Sequence, residues 1–277
     1  MTRITVGNVE ITPVLDTGLL MNPDYFFPAH AKDVNREYAD QLDERGLLPV
    51  SITCYLVRSE GKTILVDTGI GGRRRPMFPR GHLPESLDNL GTSPTDIELV
   101  IHTHLHVDHV GWNTVDDEAG KRGILFSNAE FVIQKGEWDY WMTPERLGEE
   151  GSEHLRECVE PLTNSGRIRF VEDERSFDSN LTFLPTPGHT PGHVSIGIYS
   201  AGERATIIGD ASHRPMQLAH PDWSPSADID PVQSVATRTK LFDDAATDGR
   251  TWLAGHWQYP GIGKIRKVGN TRSFRAL

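Results

Sequence analysis

The eight residues His102-Thr103-His104-Leu105-His106-Val107-Asp108-His109 gather four imidazoles and one carboxylate. Neutral imidazole nitrogen and carboxylate oxygen are ligand types that suit zinc and its first-row neighbours. Packing so many ionisable groups together without a cation is electrostatically costly. The apolar run Ile97–Ile101 directly before them, bounded by Pro94 and Asp96, reads as a buried strand. Side chains alternate along an extended segment, so His104 and His106 share a face and can reach one ion. A turn at Val107 then swings Asp108 and His109 toward a second. His102 precedes this spacing and reads as a strand-end residue, not a ligand.

The pattern His104-x-His106-x-Asp108-His109 resembles the signature of the metallo-β-lactamase superfamily, and four further segments resemble the rest of that family's pattern in its order. They are Val66-Asp67-Thr68-Gly69, Thr186-Pro187-Gly188-His189-Thr190-Pro191-Gly192-His193, Ile208-Gly209-Asp210 and Ala254-Gly255-His256. The resemblance implies an αββα four-layer sandwich with a dinuclear centre at one edge of its two sheets. It implies that His104, His106 and His189 hold one metal and Asp108, His109 and His256 a second, with Asp210 bridging. Asp67 would hold a ligand or its loop in place. The expected cofactors are two divalent metal ions, zinc first, with manganese, cobalt or iron accepted by the same donors. A complete second site argues against the single-iron persulfide dioxygenases. Aspartate at 210, where true β-lactamases usually carry Cys or Ser, argues against antibiotic hydrolysis, and His-x-His in place of His-x-Glu argues against the flavodiiron branch.

Two cations sharing a water make hydroxide available near neutral pH and polarise the oxygen under attack. Asp210 and Asp108 are therefore the candidate catalytic residues, Asp108 because it also faces that water and is placed to pass a proton to the leaving group. Within the family, chain length, the doubled Thr-Pro-Gly-His motif and the Pro-Gly-rich segment after His256 most resemble quorum-quenching lactonases and methyl-parathion-hydrolase-like enzymes. The expected reaction is hydrolysis of a lactone such as an N-acyl homoserine lactone. Aryl esters or organophosphate triesters are the alternative; hydrolytic dehalogenation, glyoxalase-type thioester cleavage and nuclease action rank below. A metal-binding module without turnover is the contrasting class, and the full ligand set argues against it.

The elements around these motifs are legible to different degrees. The chain of 277 residues is 37% apolar and carries a formal charge of −11, with pI about 5.5. It is read as a single metallo-β-lactamase-fold domain over residues 1–277, with 21–49 an insertion serving as lid or dimer contact. The acidity disfavours nucleic acid as partner. No apolar run approaches the roughly 18 residues of a membrane span, and the first residues lack the roughly 7–15-residue apolar core of a signal peptide. Only Cys54 and Cys158 occur, without metal-ligand spacing; a cytoplasmic location and a homodimer are the expectations. Alternation predicts a hairpin around Gly7-Asn8 and a strand at 130–135, and further strands are expected at 51–57, 63–66, 167–171, 181–184, 194–199 and 205–208. Helices are expected over 136–142, over 148–162, and after Asp230-Pro231, where Val232, Val235, Ala236, Phe242 and Ala246 recur at helical intervals.

For a small-molecule substrate the candidate pocket residues are Phe26 in the insertion, Trp112, Trp138 and Trp141, and His213 and Gln217 after Asp210. Trp138 and Trp141 read first as a core face. Arg73–Arg75 form a basic patch that serves either as an anion clamp or as an ordinary paired surface. His193 reads as a strand residue beneath the site, hydrogen-bonded to a neighbour.

Overall fold

The computed structural model describes every residue except Met1, Pro76, Met77, Glu174 and Asn270. The chain opens with the hairpin β1 (Ile4–Val6) and β2 (Val9–Met21), then α1 (Pro23–Phe26) and α2 (Ala31–Glu37), β3 (Leu48–Ser59) and β4 (Lys62–Val66). After α3 (Leu83–Asp88) come β5 (Leu99–Ile101), α4 (Val107–Val110), a small hairpin β6 (Thr114–Asp116) and β7 (Arg122–Ile124), β8 (Glu130–Gln134), α5 (Lys135–Trp141) and α6 (Pro144–Gly148). The second half supplies β9 (Ile168–Val171), β10 (Arg175–Ser176), β11 (Leu181–Pro185), β12 (Val194–Ser200), β13 (Glu203–Ile207), α7 (Pro231–Asp248), β14 (Thr251–Leu253), β15 (Ile262–Val268) and β16 (Thr271–Ala276).

Two seven-stranded sheets result, ordered β1-β2-β3-β4-β5-β8-β9 and β10-β11-β12-β13-β14-β15-β16. Their central strands are buried on both faces, which is why they read as continuous apolar runs. Along β3, Tyr55 and Val57 face the core shared by the sheets, where Ile196, Ile207 and Leu253 meet them, while Cys54 and Leu56 face outward against Leu83 and Leu87 of α3. On the other side of the second sheet, Leu241, Phe242 and Ala245 of α7 pack on Trp252. The layers are therefore helix, sheet, sheet, helix, as expected.

Within each sheet the strands that matter most run parallel: β4 beside β5, and β13 beside β14. Their carboxyl ends point to the same edge, and at that edge of an α/β sheet loops from neighbouring strands converge. Met21 and Leu48 are paired across β2 and β3, so residues 22–47 form a cap closed at its base by the sheet. Phe26, Phe27 and Val34 of this cap pack on Ile70, Met216 and Trp223, the last stacked between His30 (4.9 Å) and His220 (4.0 Å).

Two sequence expectations fail. The segment 148–162 is not one helix: Gly148 ends α6, Gly151 takes a left-handed φ of 89°, and only a π-helical turn (Leu155–Val159) and a 3-10 turn (Glu160–Ser165) follow. The helix after Asp230 exists as α7, with Asp230 accepting from the Gln233 N–H at 2.9 Å, but its apolar stripe is misread. Val232 is 82% exposed, and the face turned inward carries Ser234 and Arg238 before Leu241.

Candidate metal centre

Each strand end delivers its motif by a specific device. Asp67 follows β4 in a left-handed conformation (φ 60°). Its carboxylate accepts from Thr103 N–H and Thr103 Oγ1–H at 2.8 Å each, and from His109 Nδ1 at 2.8 Å. The residue thus ties the start of the His-rich loop to its end. Gly209, at the end of β13, allows the backbone to pass His193: a Cβ there would lie 2.6 Å from His193 Nε2. His193 is fully buried and neutral, since burial pushes it down to about 3. Its Nδ1–H donates to Thr186 O and its Nε2 accepts from Asp210 N–H, both at 2.9 Å. His193 is therefore a support beneath Asp210, as its sequence reading held.

Three ring nitrogens converge on one point. His106 Nδ1 lies 3.1 Å from His104 Nε2 and 2.9 Å from His189 Nε2. The outer nitrogens are already used, His104 Nδ1 against Thr103 Oγ1 (3.1 Å) and His189 Nδ1 against Asp228 Oδ1 (2.9 Å). Burial and the neighbouring imidazoles hold His104 and His106 far below the usual histidine range, in the neutral form that ligates metals. For His189, burial disfavours the proton, but Asp210 and Asp228 outweigh it and hold the ring up to about 9, so a cation among the three nitrogens takes the place of that proton.

The second convergence shares Asp210 with the first; Asp210 Oδ2 also faces His189 Nε2 at 3.3 Å. His256 donates Nδ1–H to Ser51 O at 2.7 Å, and its Nε2 faces Asp210 Oδ2 (3.1 Å) and Asp108 Oδ2 (3.4 Å). His109 Nε2 faces Asp210 Oδ1 at 3.2 Å and Asp108 Oδ1 at 3.8 Å. Both His109 Nε2 and Asp210 Oδ1 are buried without a hydrogen-bond partner among the described residues, although buried polar atoms are ordinarily satisfied. For His109, burial disfavours the proton, but Asp210, Asp67 and Asp108 outweigh it and raise the group well above its ordinary value. Positive charge is thus favoured here, whether carried by protons or by a metal. Candidate ligand atoms of His104, His106, His189 and Asp210, and separately of Asp108, His109 and His256, lie within 4.8 Å of one another. Both sets fit a divalent cation of the first-row type.

The other candidates divide. His213 joins the cluster, with Nε2 at 3.1 Å from Asp210 Oδ2 and its ring parallel to His256 (5.4 Å). Phe26 sets its edge against His213 at 5.5 Å, and Trp141 stands 5.4 Å from His106. Trp112 is not a pocket residue: it is buried beside Leu83 and Phe126, its indole N–H held by Asp16 Oδ1 at 2.9 Å. Trp138 packs instead with Phe170 (5.2 Å) and the apolar cluster behind α5. Gln217 is fully buried and spent on its own loop: Oε1 accepts from Ser212 Oγ, His213 N and Arg214 N, and Nε2 donates to Trp223 O. Arg73 is paired with Asp116 and Arg75 with Glu157, each at 2.9 Å, so these two guanidinium groups form no anion clamp. His102 sits at the end of β5, buried against Phe131, and is no ligand.

Sequence reasoning missed Asp228 and Glu137. Glu137 of α5 is buried and accepts from Leu105 N, Trp141 Nε1, Thr190 Oγ1 and Gly192 N, clamping the His104–His106 loop to the His189 loop. Burial raises its carboxyl, and the four donors pull against that rise. A charged residue at helical spacing beside two tryptophans gave no signal of its own.

A family model of the metallo-beta-lactamase superfamily matches residues 47–256. The chain belongs to that superfamily. It is a metal-dependent hydrolase, similar over most of its length to hydrolases of the same group. The N-acyl homoserine lactonase of Bacillus thuringiensis is 26% identical over 251 residues, 84% of this chain and 92% of that protein. The N-acyl homoserine lactonase AttM of Rhizobium radiobacter is 30% identical over 184 residues, 62% of each. Among solved structures, the hydrolase AbOPH superposes with a TM-score of 0.85 at 26% identity, covering 99% of this chain and 96% of that one. AidC, a dizinc quorum-quenching lactonase in complex with a product, N-hexanoyl-L-homoserine, superposes with a TM-score of 0.83 at 25% identity, covering 100% and 97%. No helix among the described residues is long and apolar enough to cross a membrane.

Proposed function

We propose that this superfamily member is a lactonase that opens N-acyl homoserine lactones or closely related cyclic esters. In this reading His104, His106 and His189 hold one cation, Asp108, His109 and His256 a second, and Asp210 lies between them. The observation that carries it is the convergence of two sets of ligand atoms, one including Asp210 and the other facing it through His109 (3.2 Å) and His256 (3.1 Å). Similarity to AidC supports zinc as the metal and an acyl-homoserine as the ligand class; manganese, cobalt and iron suit the same donors. When bound, such ions supply Lewis-acid polarisation of an ester carbonyl and a water ionised near neutral pH.

The chain's own residues do the remaining work. Asp108 is the more accessible of the two carboxylates, its side chain 14% exposed against 5% for Asp210, so it is placed to carry a proton between the site and the leaving oxygen. Phe26, against His213, and Trp141, against His106, are the apolar walls that would exclude water and orient an acyl chain. The pairing of Arg73 and Arg75 supports a neutral substrate. Asp67 and His193 hold His109 and Asp210 in place.

Three coarser parts of the reading complete it. A single domain over 1–277 is supported by the core that both sheets share. A homodimer through the cap side is supported by exposed Leu20 and Tyr25 (45% and 58%); sedimentation as a monomer at micromolar concentration removes it. A cytoplasmic location is supported by two buried free thiols; export of the native protein removes it.

The test is acid release by metal-quantified protein from short- and long-chain homoserine lactones, beside aryl esters and a phosphotriester. Lactone turnover well above the rest is the expected result. Turnover of esters or phosphotriesters with silent lactones overturns the substrate assignment while leaving the hydrolase.

A further inference from the structure

Helix α7 turns a polar face inward where an amphipathic helix ordinarily buries an apolar one. Arg238 is fully buried and every part of its guanidinium is engaged. Nη2 donates to Asp228 Oδ2 at 2.9 Å and to Ser234 Oγ at 2.8 Å, Nε donates to Ala211 O at 2.8 Å, and Nη1 donates to Pro221 O at 2.7 Å. The other oxygen of Asp228 faces His189 Nδ1 at 2.9 Å. Backbone bonds from Ile229 N to His189 O (3.0 Å) and from Asp230 N to Gly188 O (2.9 Å) hold Asp228 in register opposite that histidine. The first turns of α7 press on the same loop: a Cβ on Gly188, whose φ is 131°, would lie 2.2 Å from Ser234 N, and Thr237 Oγ1 donates to Pro187 O at 2.6 Å.

A buried ion pair is a poor source of stability, since apolar residues of similar volume often replace it without loss. What this pair does supply is direction. A carboxylate on Nδ1 keeps the ring proton there, leaves the Nε2 lone pair facing His106, and makes the imidazole a stronger donor. Arg238 in turn holds Asp228 and, through Ala211 O, the residue next to Asp210. We propose that Asp228 and Arg238 are positioning residues that set the cation affinity of the His104–His106–His189 site, with little effect on the site of Asp108, His109 and His256. The inference rests on the ligand roles given under the proposed function.

The experiment is zinc titration of the full-length apoprotein against a chelating dye, with cobalt absorption spectra to resolve the two sites. The variants are Asp228→Asn and the pair Asp228→Asn/Arg238→Met, the latter leaving no lone buried charge. Wild type must first bind two ions; failure there sinks the ligand reading itself, separately from this inference. The expected result is one site weakened about 10–100-fold in both variants, the other unchanged. Wild-type affinity at both sites, or equal weakening of both, overturns the proposal. Should neither variant fold, Arg238→Lys, which keeps a cation beside Asp228, is titrated in their place: weakening of one site alone is expected, and wild-type affinity at both sites overturns the proposal.

Discussion

Glu137→Gln is the substitution whose cost follows most directly from the geometry. One carboxylate oxygen accepts from Leu105 N (3.0 Å) and Trp141 Nε1 (2.7 Å), the other from Thr190 Oγ1 (2.7 Å) and Gly192 N (2.9 Å). Glutamine keeps one acceptor oxygen and puts an amide nitrogen where the other stood. With that nitrogen toward Thr190 and Gly192, the hydroxyl can turn and accept, but the Gly192 N–H is left buried and unpaired. The opposite orientation strands two donors. An unsatisfied buried donor costs about 1–3 kcal/mol, and two charge-assisted bonds become neutral ones, so the total is roughly 3–4 kcal/mol. At about 2–4 °C per kcal/mol for a chain of this size class, the melting temperature should fall by roughly 6–15 °C. Thermal unfolding of metal-loaded protein reads the change, and zinc release to a chelator should accelerate, because Leu105 lies between two candidate ligands. A variant that melts with wild type and retains its metal equally well would refute the claim that Glu137 clamps the two loops.

Stripping metal with a chelator should abolish hydrolysis and lower the melting temperature, both restored by zinc; a site saturated at about a thousand times its Kd contributes about 4 kcal/mol, and an unchanged melting curve contradicts ligation in the folded state. Phe26→Ala should raise KM for long-chain lactones more than for short ones while kcat changes little, and equal effects on all chain lengths remove Phe26 from the pocket wall. On α7, Val232→Glu should leave stability within about 0.5 kcal/mol, whereas Leu241→Ala should cost about 2–5 kcal/mol in denaturant unfolding. The reverse order would mean that the inward face has been misassigned.

The five motif segments were legible because each is local: Gly, Pro and the chemistry-bearing residue stand within a few positions, and Asp67, Asp210 and His256 each follow an apolar strand. The Asp230 cap was readable for the same reason, whereas β3 runs past its expected limits of 51–57 to Leu48 and Ser59. What stayed hidden depends on tertiary pairing. Asp228, ordinary among the acids before α7, matters because backbone register sets it against His189. Arg238 broke the helical hydrophobic pattern because its burial is compensated by hydrogen bonds, not by apolar contact. Trp112 and Gln217, close to the motifs in sequence, point into Asp16 and into their own loop, directions that no spacing rule supplies.

Metal analysis of the purified protein is the most direct test of the central claim, that this chain folds two cation sites around Asp210. Wild type loaded with zinc and freed of excess should retain two ions per chain, and Asp210→Ala should retain fewer and lose lactone hydrolysis. One ion or none in wild type, or two retained with full activity in Asp210→Ala, would contradict it.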